Sequence, residues 1–427
     1  LGPWKPQNCA WIATVRVHPR YQKPISEAEY SSPVDEESPV EPVRLSTIAR
    51  EWTRIGCIGF GGPPTHIALL RKLCVSDRCW ISTGEFEDGI AATNLLPGPA
   101  STQLAIFCAW RLRGPLGALV GGICFIVPGL IAILALAGLF LSSHPPHWAK
   151  GAAAGAGAAV AAVALSAALG LLPASWKRAG TERAEHARWV VYAICGGAAA
   201  ATIGPFLVLV LLAAGLAEVA FRELRLWRSP PTSLGGLGGL PVVLAVAVVG
   251  GVGAVVWEAF KVGALSYGGG FVIVPLMQSD AVHTYHWMTN AQFLNAVALG
   301  QITPGPVVQT VAVVGYAAHK LGGGLLAALV AFAPSFCFVL FGGRHFDRIR
   351  TNRAVQAFLT GAGPAAIGAI AGSSIPLGLA LAHLWQVGVL VGAFTWIVVL
   401  RRNVVVGLVS AGVIGVAVSF AGLRVGS

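Results

Sequence analysis

From residue 45 to residue 424 the chain alternates long apolar stretches with short polar ones. The apolar stretches are continuous and lack the two-residue alternation of a half-buried strand. Thirteen can be delimited: 45–70, 89–110, 116–141, 151–172, 189–204, 205–221, 240–257, 258–276, 293–318, 322–342, 355–381, 384–400 and 404–424. Crossing a bilayer takes about 20 apolar residues as helix. Only helices and closed barrels satisfy every backbone polar group there. Continuous runs select the helix. The predicted fold is an all-α polytopic membrane protein with about 13 transmembrane or re-entrant helices.

The chain also matches itself. At an offset of 207 residues, Arg54–Pro99 aligns with Lys261–Pro306 without a gap, and ten of 46 positions are identical. The identities fall on Gly56/Gly263, Gly61/Gly268, Gly62/Gly269, Leu69/Leu276, Trp80/Trp287, Phe86/Phe293, Ala91/Ala298, Pro97/Pro304, Gly98/Gly305 and Pro99/Pro306. Their concentration at Gly, Pro and Trp marks an internal duplication. The domain reading is a polar tail at 1–44, a first half at 45–221, a basic linker with an extra apolar helix at 222–257, and a second half at 258–427.

Six segments plus one extra before the repeat restarts make an odd count, which inverts the second half. Loop charges bear on this, because Lys and Arg accumulate in cytoplasmic loops. Residues 142–150 carry one Lys/Arg and their counterpart 343–353 four, whereas 173–188 carry four and 382–383 none. Opposite bias in matching loops is the pattern of inverted repeats. Loop 71–88 breaks the pattern, with Arg71, Lys72 and Arg78 against none in 278–295, unless the first segment turns back. The expected topology places the N-terminus in the cytoplasm and the C-terminus outside.

The formal net charge of +11 raises the question of nucleic acid. Tail 1–44 is nearly neutral, with five Lys/Arg against six Asp/Glu, and the excess lies in short loops between apolar runs. No basic face interleaved with aromatics is present, so no nucleic-acid partner is expected; the partner is the lipid bilayer. The tail is Pro-rich and polar, reads as disordered and lacks a signal-peptide pattern. The eight cysteines include no Cys-x-x-Cys, and Cys57, Cys108, Cys124, Cys195 and Cys337 fall in apolar runs, where small buried hydrophobes are expected. No metal site and no cofactor are expected. Nucleotide-binding, zinc-protease and serine-hydrolase motifs are absent from the sequence, which argues against an enzyme.

Each half contains two helix breaks: Gly61-Gly62-Pro63-Pro64 and Pro97-Gly98-Pro99, then Gly268-Gly269-Gly270 and Pro304-Gly305-Pro306. Irregular backbone at membrane depth is tolerated only where it lines a cavity or is buried in protein. Matching breaks in two halves point to a transport site near the midplane. A half-helix beginning at a break exposes free N–H groups and the positive end of its dipole, which suit an anion. Arg54 and Lys261 align with each other, seven residues before their glycine pairs, and are candidates to balance that anion; an interfacial Arg54 and a Glu258–Lys261 helix pair are the competing readings. Neutral groups cluster at the second breaks: Asn94, Ser101, Thr102 and Gln103 in one half, Gln301, Thr303, Gln309 and Thr310 in the other. They suit an oxyanion or interhelical hydrogen bonding. Asp88 and Glu258 are candidate proton carriers, and His66 reads as a packing residue.

The stretches FGGPPTHIALL, NLLPGPASTQLA and RLRGPLGALVGGICFIVPG, with FKVGALSYGGGF and QITPGPVVQTVAVVGYAAHKLGG in the second half, resemble the two-domain, long-chain type of the chromate ion transporter (CHR) family. The resemblance extends from about residue 45 to the end. It implies a multipass protein of two homologous halves, associated with chromate efflux and resistance and using the proton-motive force. The expected partner is then chromate, with sulfate or another oxyanion as the alternative, since the two share charge and shape. Moving one charge across 100 mV is worth about 2.3 kcal/mol. A dianion leaving a negative cytoplasm gains about 4.6 kcal/mol, roughly a thousandfold gradient. Efflux across the plasma membrane can therefore run on membrane potential. The sequence leaves the oligomeric state, monomer or homodimer, open.

Overall fold

The computed structural model describes residues 43–93, 98–142, 144–202, 207–226, 251–266, 273–342 and 352–422, and every regular element among them is helical. In chain order these are α1 (Leu45–Ile58), α2 (Pro63–Arg71), α3 (Thr83–Thr93), α4 (Ala100–Phe140), α5 (His147–Ala158), α6 (Val160–Ala179), α7 (Arg183–Thr202), α8 (Leu207–Leu226), α9 (Val252–Leu265), α10 (Ile273–Gln278), α11 (Asn290–Ile302), α12 (Thr310–Gly342), α13 (Arg353–Leu379), α14 (Leu384–Phe394) and α15 (Val404–Phe420). Four stretches are long and apolar enough to cross a bilayer: Ala100–Phe140, His147–Ala179, Val307–Gly342 and Arg353–Leu379. Their outward positions, such as Leu116, Ile123, Ile131, Leu325 and Leu329, are exposed on the isolated chain, as lipid-facing residues are.

The duplication persists in the backbone. Helices α1 and α9 have 14 residues each and begin 207 apart. The wide π turns Lys72–Asp77 and Ser279–Thr284 keep that offset, as do the left-handed residues Cys79 (φ 51°) and His286 (φ 53°) that follow them. The register then slips by one: the non-helical pairs Arg113–Gly114 and His319–Lys320 lie 206 apart.

Those pairs are sharp reversals. A straight helix as long as α4 would reach about 60 Å, twice the hydrocarbon core. Instead its limbs, 100–112 and 115–140, fold against each other. A Cβ on Gly117 would lie 2.2 Å from the Ala109 carbonyl oxygen and one on Gly122 2.8 Å from Ile106. The limbs of α12, 310–318 and 321–342, do the same, with Gly315 against Gly323. The first limb of α4 also runs antiparallel to α3, where Gly89 packs on Leu104 and Phe107 and Glu85 pairs with Arg111. Helix α2 turns back along α1, with His66 at Gly59 and Arg78 at Glu51. In the second half, Lys261 of α9 meets Asp280 just past α10, and Gly300 of α11 meets Thr310. Each half thus begins with two short hairpins whose tips carry the helix breaks.

The halves interlock. The long limbs of α4 and α12 pack antiparallel, pairing Gly122 with Phe336 and Leu134 with Gly324, and Gly138 meets Tyr316 of the first α12 limb. Since these limbs are equivalent in the repeat, equivalent helices run in opposite directions. Helix α5 packs on α15, and its counterpart α13 packs on α8. A Cβ on Gly155 would lie 2.1 Å from the Ala411 oxygen, and one on Gly361, 206 residues later, 2.2 Å from the Ala214 oxygen.

Three expectations need correction. The border drawn at 257/258 falls inside α9, which starts at Val252; residues 240–250 of the expected extra helix lie outside the described residues. Segment 89–110 is interrupted between α3 and α4, and segment 151–172 at Ala159. Cys57, Cys195 and Cys337 face outward, where lipid solvates a thiol as well as a core does, while Cys74 and Cys108 are buried.

Close backbone approach makes glycine necessary at α9. A Cβ on Gly263 would sit 2.2 Å from the Ala331 carbonyl oxygen. Gly263→Val should destabilise the detergent-solubilised protein by about 1–3 kcal/mol, read as a lower melting temperature. Gly170→Ala, with nothing within 4 Å of the added Cβ, should leave it unchanged or raised.

Candidate functional site

The hairpin tips meet across the two halves. The Gly305 N–H donates to the Gly59 carbonyl at 3.0 Å, and the Gly98 N–H donates to the Ser266 carbonyl at 3.1 Å. Gly59 and Ser266 are equivalent in the repeat, as are Gly98 and Gly305. The two bonds are therefore one interaction made twice, first break to second break of the opposite half. Each uses a carbonyl freed where α1 or α9 ends and an N–H freed by a Pro-Gly-Pro turn. Gly98 (φ 123°) and Gly305 (φ 99°) occupy backbone conformations that favour glycine.

The first tip is further braced by His66, which is fully buried. Its Nε2 lies 2.9 Å from the Gly59 oxygen and its Nδ1 3.3 Å from Ser101 Oγ. With a carbonyl as one partner, Nε2 carries the proton, and Nδ1 accepts from the Ser101 hydroxyl. The Phe125 ring packs edge-on against it at 5.0 Å. His66 thus ties the first break to the start of α4.

Gly61 (φ 94°) and Gly62 (φ 77°) form the turn into α2. Helix α2 presents no N–H at its first two positions, because Pro63 and Pro64 have none, and the Thr65 and His66 N–H groups donate to the Gly62 carbonyl. The expected donors are instead at the second breaks. Pro99 caps α4 without a side-chain bond, and the Ala100 and Ser101 N–H groups that begin the helix have no acceptor among the described residues. Pro306 opens the short turn Val307–Gln309 in the same way.

Buried hydroxyls and amides surround these ends: Thr102, Gln103, Ser266, Gln301, Thr303, Gln309, Thr310 and Ser335. Some are already committed. Thr303 donates to Leu299 (2.7 Å), Thr310 to Val307 (2.8 Å) and the Gln309 amide to Ile126 (2.7 Å). Others have unspent capacity: Thr102 Oγ1, Ser266 Oγ, Ser335 Oγ and Gln301 Nε2 have no partner among the described residues. Such groups are costly to bury and call for a ligand or water. Asn94, Pro97, Gly268 and Gly269 lie outside the described residues.

Arg54 and Lys261, equivalent in sequence, are placed differently. The Arg54 side chain is 71% exposed and lies 3.8 Å from Glu51, which Arg50 and Arg78 also approach. None of the contacts made by Arg54 reaches the tips. Lys261 is only 14% exposed; it pairs with Glu258 at 2.8 Å and with Asp280, and lies over the Trp257 ring. Glu258 is buried, and Asp88 is exposed on α3. Asp280 and Ser335 had no sequence signal by motif. Ser266 sits in the duplicated stretch opposite Gly59, and Ser335 lies 206 residues after Gly129, which packs on the Pro304 carbonyl.

The chromate transporter family model matches residues 46–219 and 253–416. The chain belongs to the chromate transporter family. It is 31% identical over 343 residues to the chromate transport protein of Cupriavidus metallidurans, covering 78% of this chain and 82% of that protein. It is 28% identical over 410 residues to the chromate transport protein of Pseudomonas aeruginosa, covering 88% and 92%. A probable chromate transport protein of Synechococcus elongatus is also 28% identical, with 79% and 86% covered. No solved structure matches the chain. Both matched segments of this chromate transporter family member contain a pair of tip hairpins and the long antiparallel limb that follows.

The equivalent cations should respond differently to neutralisation. Lys261→Met strands two buried carboxylates and should cost about 3–5 kcal/mol. Arg54→Gln removes an exposed pair and should cost less than about 1 kcal/mol. Thermal unfolding in detergent reads both. Thr102→Val and Ser266→Ala should leave ligand-free stability within about 1 kcal/mol, because they remove hydroxyls that have no partner.

Proposed function

We propose that this chain is a secondary transporter that exports chromate across the plasma membrane. The observation that carries the reading is the pair of crossed bonds, Gly305 to Gly59 and Gly98 to Ser266, formed amid buried polar groups without partners. An oxyanion at these tips meets helix N-termini, the hydroxyls of Thr102, Ser266 and Ser335 and the Gln301 amide. These are neutral donors that strip a dianion of water without fixing it irreversibly. Gly61, Gly62, Gly98, Pro99, Gln103, Thr303, Pro304, Gly305 and Pro306 shape the tips around it; Asn94, Pro97, Gly268 and Gly269 belong to the same sequence motifs and are included in the proposal on that ground alone.

The halves are read as inverted in the membrane, with the N-terminus cytoplasmic and the C-terminus outside. The antiparallel limbs of α4 and α12 support this, as does the return of α2 along α1. That return puts Arg71, Lys72 and Arg78 on the same side as Arg50 and Arg54 and removes the conflict in loop charges. Arg54 then belongs to the cytoplasmic mouth. Lys261, Glu258 and Asp280 form a buried group of net charge −1 that a proton neutralises, so Glu258 rather than exposed Asp88 is the place to carry one. A dianion gains about 4.6 kcal/mol on leaving at 100 mV, so membrane potential is sufficient as a driving force. Sulfate, with the same shape and charge, is the alternative substrate.

The test is chromate accumulation in a chromate-sensitive bacterium expressing the chain or its Thr102→Val/Ser266→Ala variant, with and without excess sulfate. Lower accumulation with the wild type alone is the expected result. Higher accumulation that sulfate suppresses would identify an oxyanion importer and overturn the direction.

A further inference from the structure

A second polar cavity lies away from the tips. It has a volume of about 790 Å³, and its lining includes His147 and Lys150 of α5, Gln292 and Asn295 of α11, and His383 and Gln386 at the start of α14. No Asp or Glu lines it. Lys150 has no carboxylate partner among the described residues.

Comparison with the other half shows that this lack of negative charge is a substitution, made four times. At the start of α11, Gln292 and Thr289 cap each other: the Thr289 N–H donates to Gln292 Oε1 at 2.9 Å and the Gln292 N–H to Thr289 Oγ1 at 3.2 Å. At the equivalent start of α3, Ser82 and Glu85 make the same pair of bonds, at 3.4 and 3.2 Å. At the start of α14, the His383 N–H donates to Gln386 Oε1 at 3.1 Å. At the equivalent start of α7, the Glu182 N–H donates to Glu185 Oε2 at 3.1 Å. Asn295 stands 207 residues after Asp88. So Glu85, Asp88, Glu182 and Glu185 correspond to Gln292, Asn295, His383 and Gln386 around the cavity.

A carboxylate is the better residue at a helix N-terminus, because it meets the positive end of the dipole. Replacing it by an amide of the same shape keeps the cap and gives up that charge interaction. At Gln292 no bond of the amide nitrogen accounts for the exchange, whereas the Gln386 amide also donates to the Ala154 carbonyl at 3.4 Å; at both caps the loss of charge favours an anion in the cavity. The starts of α5, α11 and α14 all border the cavity, so three dipole ends and Lys150 face it with no Asp or Glu in the lining; the His383 ring accepts the Gln386 N–H as the α14 cap. From Asn295, α11 leads to Gln301 at the hairpin tips, about 9 Å along the axis.

We infer that this cavity is an anion-binding vestibule, separate from the tip site, that takes a small inorganic oxyanion of the sulfate or chromate type. The sign of the ligand follows from the cavity itself; its identity as an oxyanion rests on the proposed transport function. In the proposed topology the vestibule opens on the outer face, where loops 142–150 and 382–383 lie. It alters local anion concentration and rates, not the driving force.

The test uses charge-selective labelling of the detergent-purified full chain, which requires neither transport nor orientation. A cysteine introduced by Ala291→Cys, on the cavity wall, is reacted with a sulfonate-bearing and a trimethylammonium-bearing methanethiosulfonate. Rates are normalised to a free thiol and corrected for the parent chain. The sulfonate reagent should be favoured about tenfold, with the preference falling as salt rises. Millimolar sulfate or chromate should slow labelling. Adding Gln292→Glu and Gln386→Glu should abolish the preference; Gln292→Glu alone should weaken it while the melting temperature holds or rises, since Glu serves as the cap at the equivalent Glu85, whereas Gln386→Glu also gives up the bond to the Ala154 carbonyl. Lys150→Gln should weaken the preference. Equal rates for the two reagents, or a preference that survives both Glu substitutions, would overturn the vestibule. A chain that labels as described but leaves chromate accumulation unchanged in cells would retain the vestibule and lose the efflux reading.

Discussion

A broken helix inside an apolar protein leaves backbone N–H and C=O groups that lipid cannot satisfy. Everything central in this structure follows from how that requirement is met. The carbonyl freed at Gly59 takes the N–H freed at Gly305, and Ser266 takes that of Gly98. Each half thus supplies a partner for the other's break. Because the bonded groups lie at opposed tips, the contacts that join the halves lie amid buried hydroxyls and amides that have no partner among the described residues.

On this shared backbone the two halves have diverged in charge. Glu51 and Glu258 occupy equivalent positions, yet one collects three exposed arginines and the other shares a buried lysine with a second carboxylate. The helix caps Glu85 and Glu185 have the same geometry as Gln292 and Gln386 with a charge removed. A transporter with symmetric scaffolding needs such differences for its two mouths to be unequal. They are located where a side chain can change sign without disturbing the backbone.

Much of the fold could be read from the residues. Apolar length gave the membrane helices, and the Gly and Pro breaks were located within the segments that the structure folds back. Less of the site could be read. Arg54 and Lys261 looked alike because they align, but exposure separates them: one side chain snorkels to the surface, the other is enclosed by Glu258, Asp280 and Trp257. Pro63 and Pro64 marked a break correctly, yet as the first residues of α2 they remove the donors that a helix start otherwise offers. Segment 89–110 looked like one span because hydropathy does not register that its two arms lie side by side.

The sequence by itself determined the local chemistry: which stretches are helix, where they break and that the pattern occurs twice. Those are properties of neighbouring residues, set by side-chain polarity and the geometry of Gly and Pro. Only the tertiary structure decided which break meets which, that Ser266 and Ser335 stand beside Gly98, and that Lys150, His147 and His383 share a cavity with no acid. Those juxtapositions join residues tens to hundreds of positions apart. They come from packing one half against the other, and no local pattern encodes that packing.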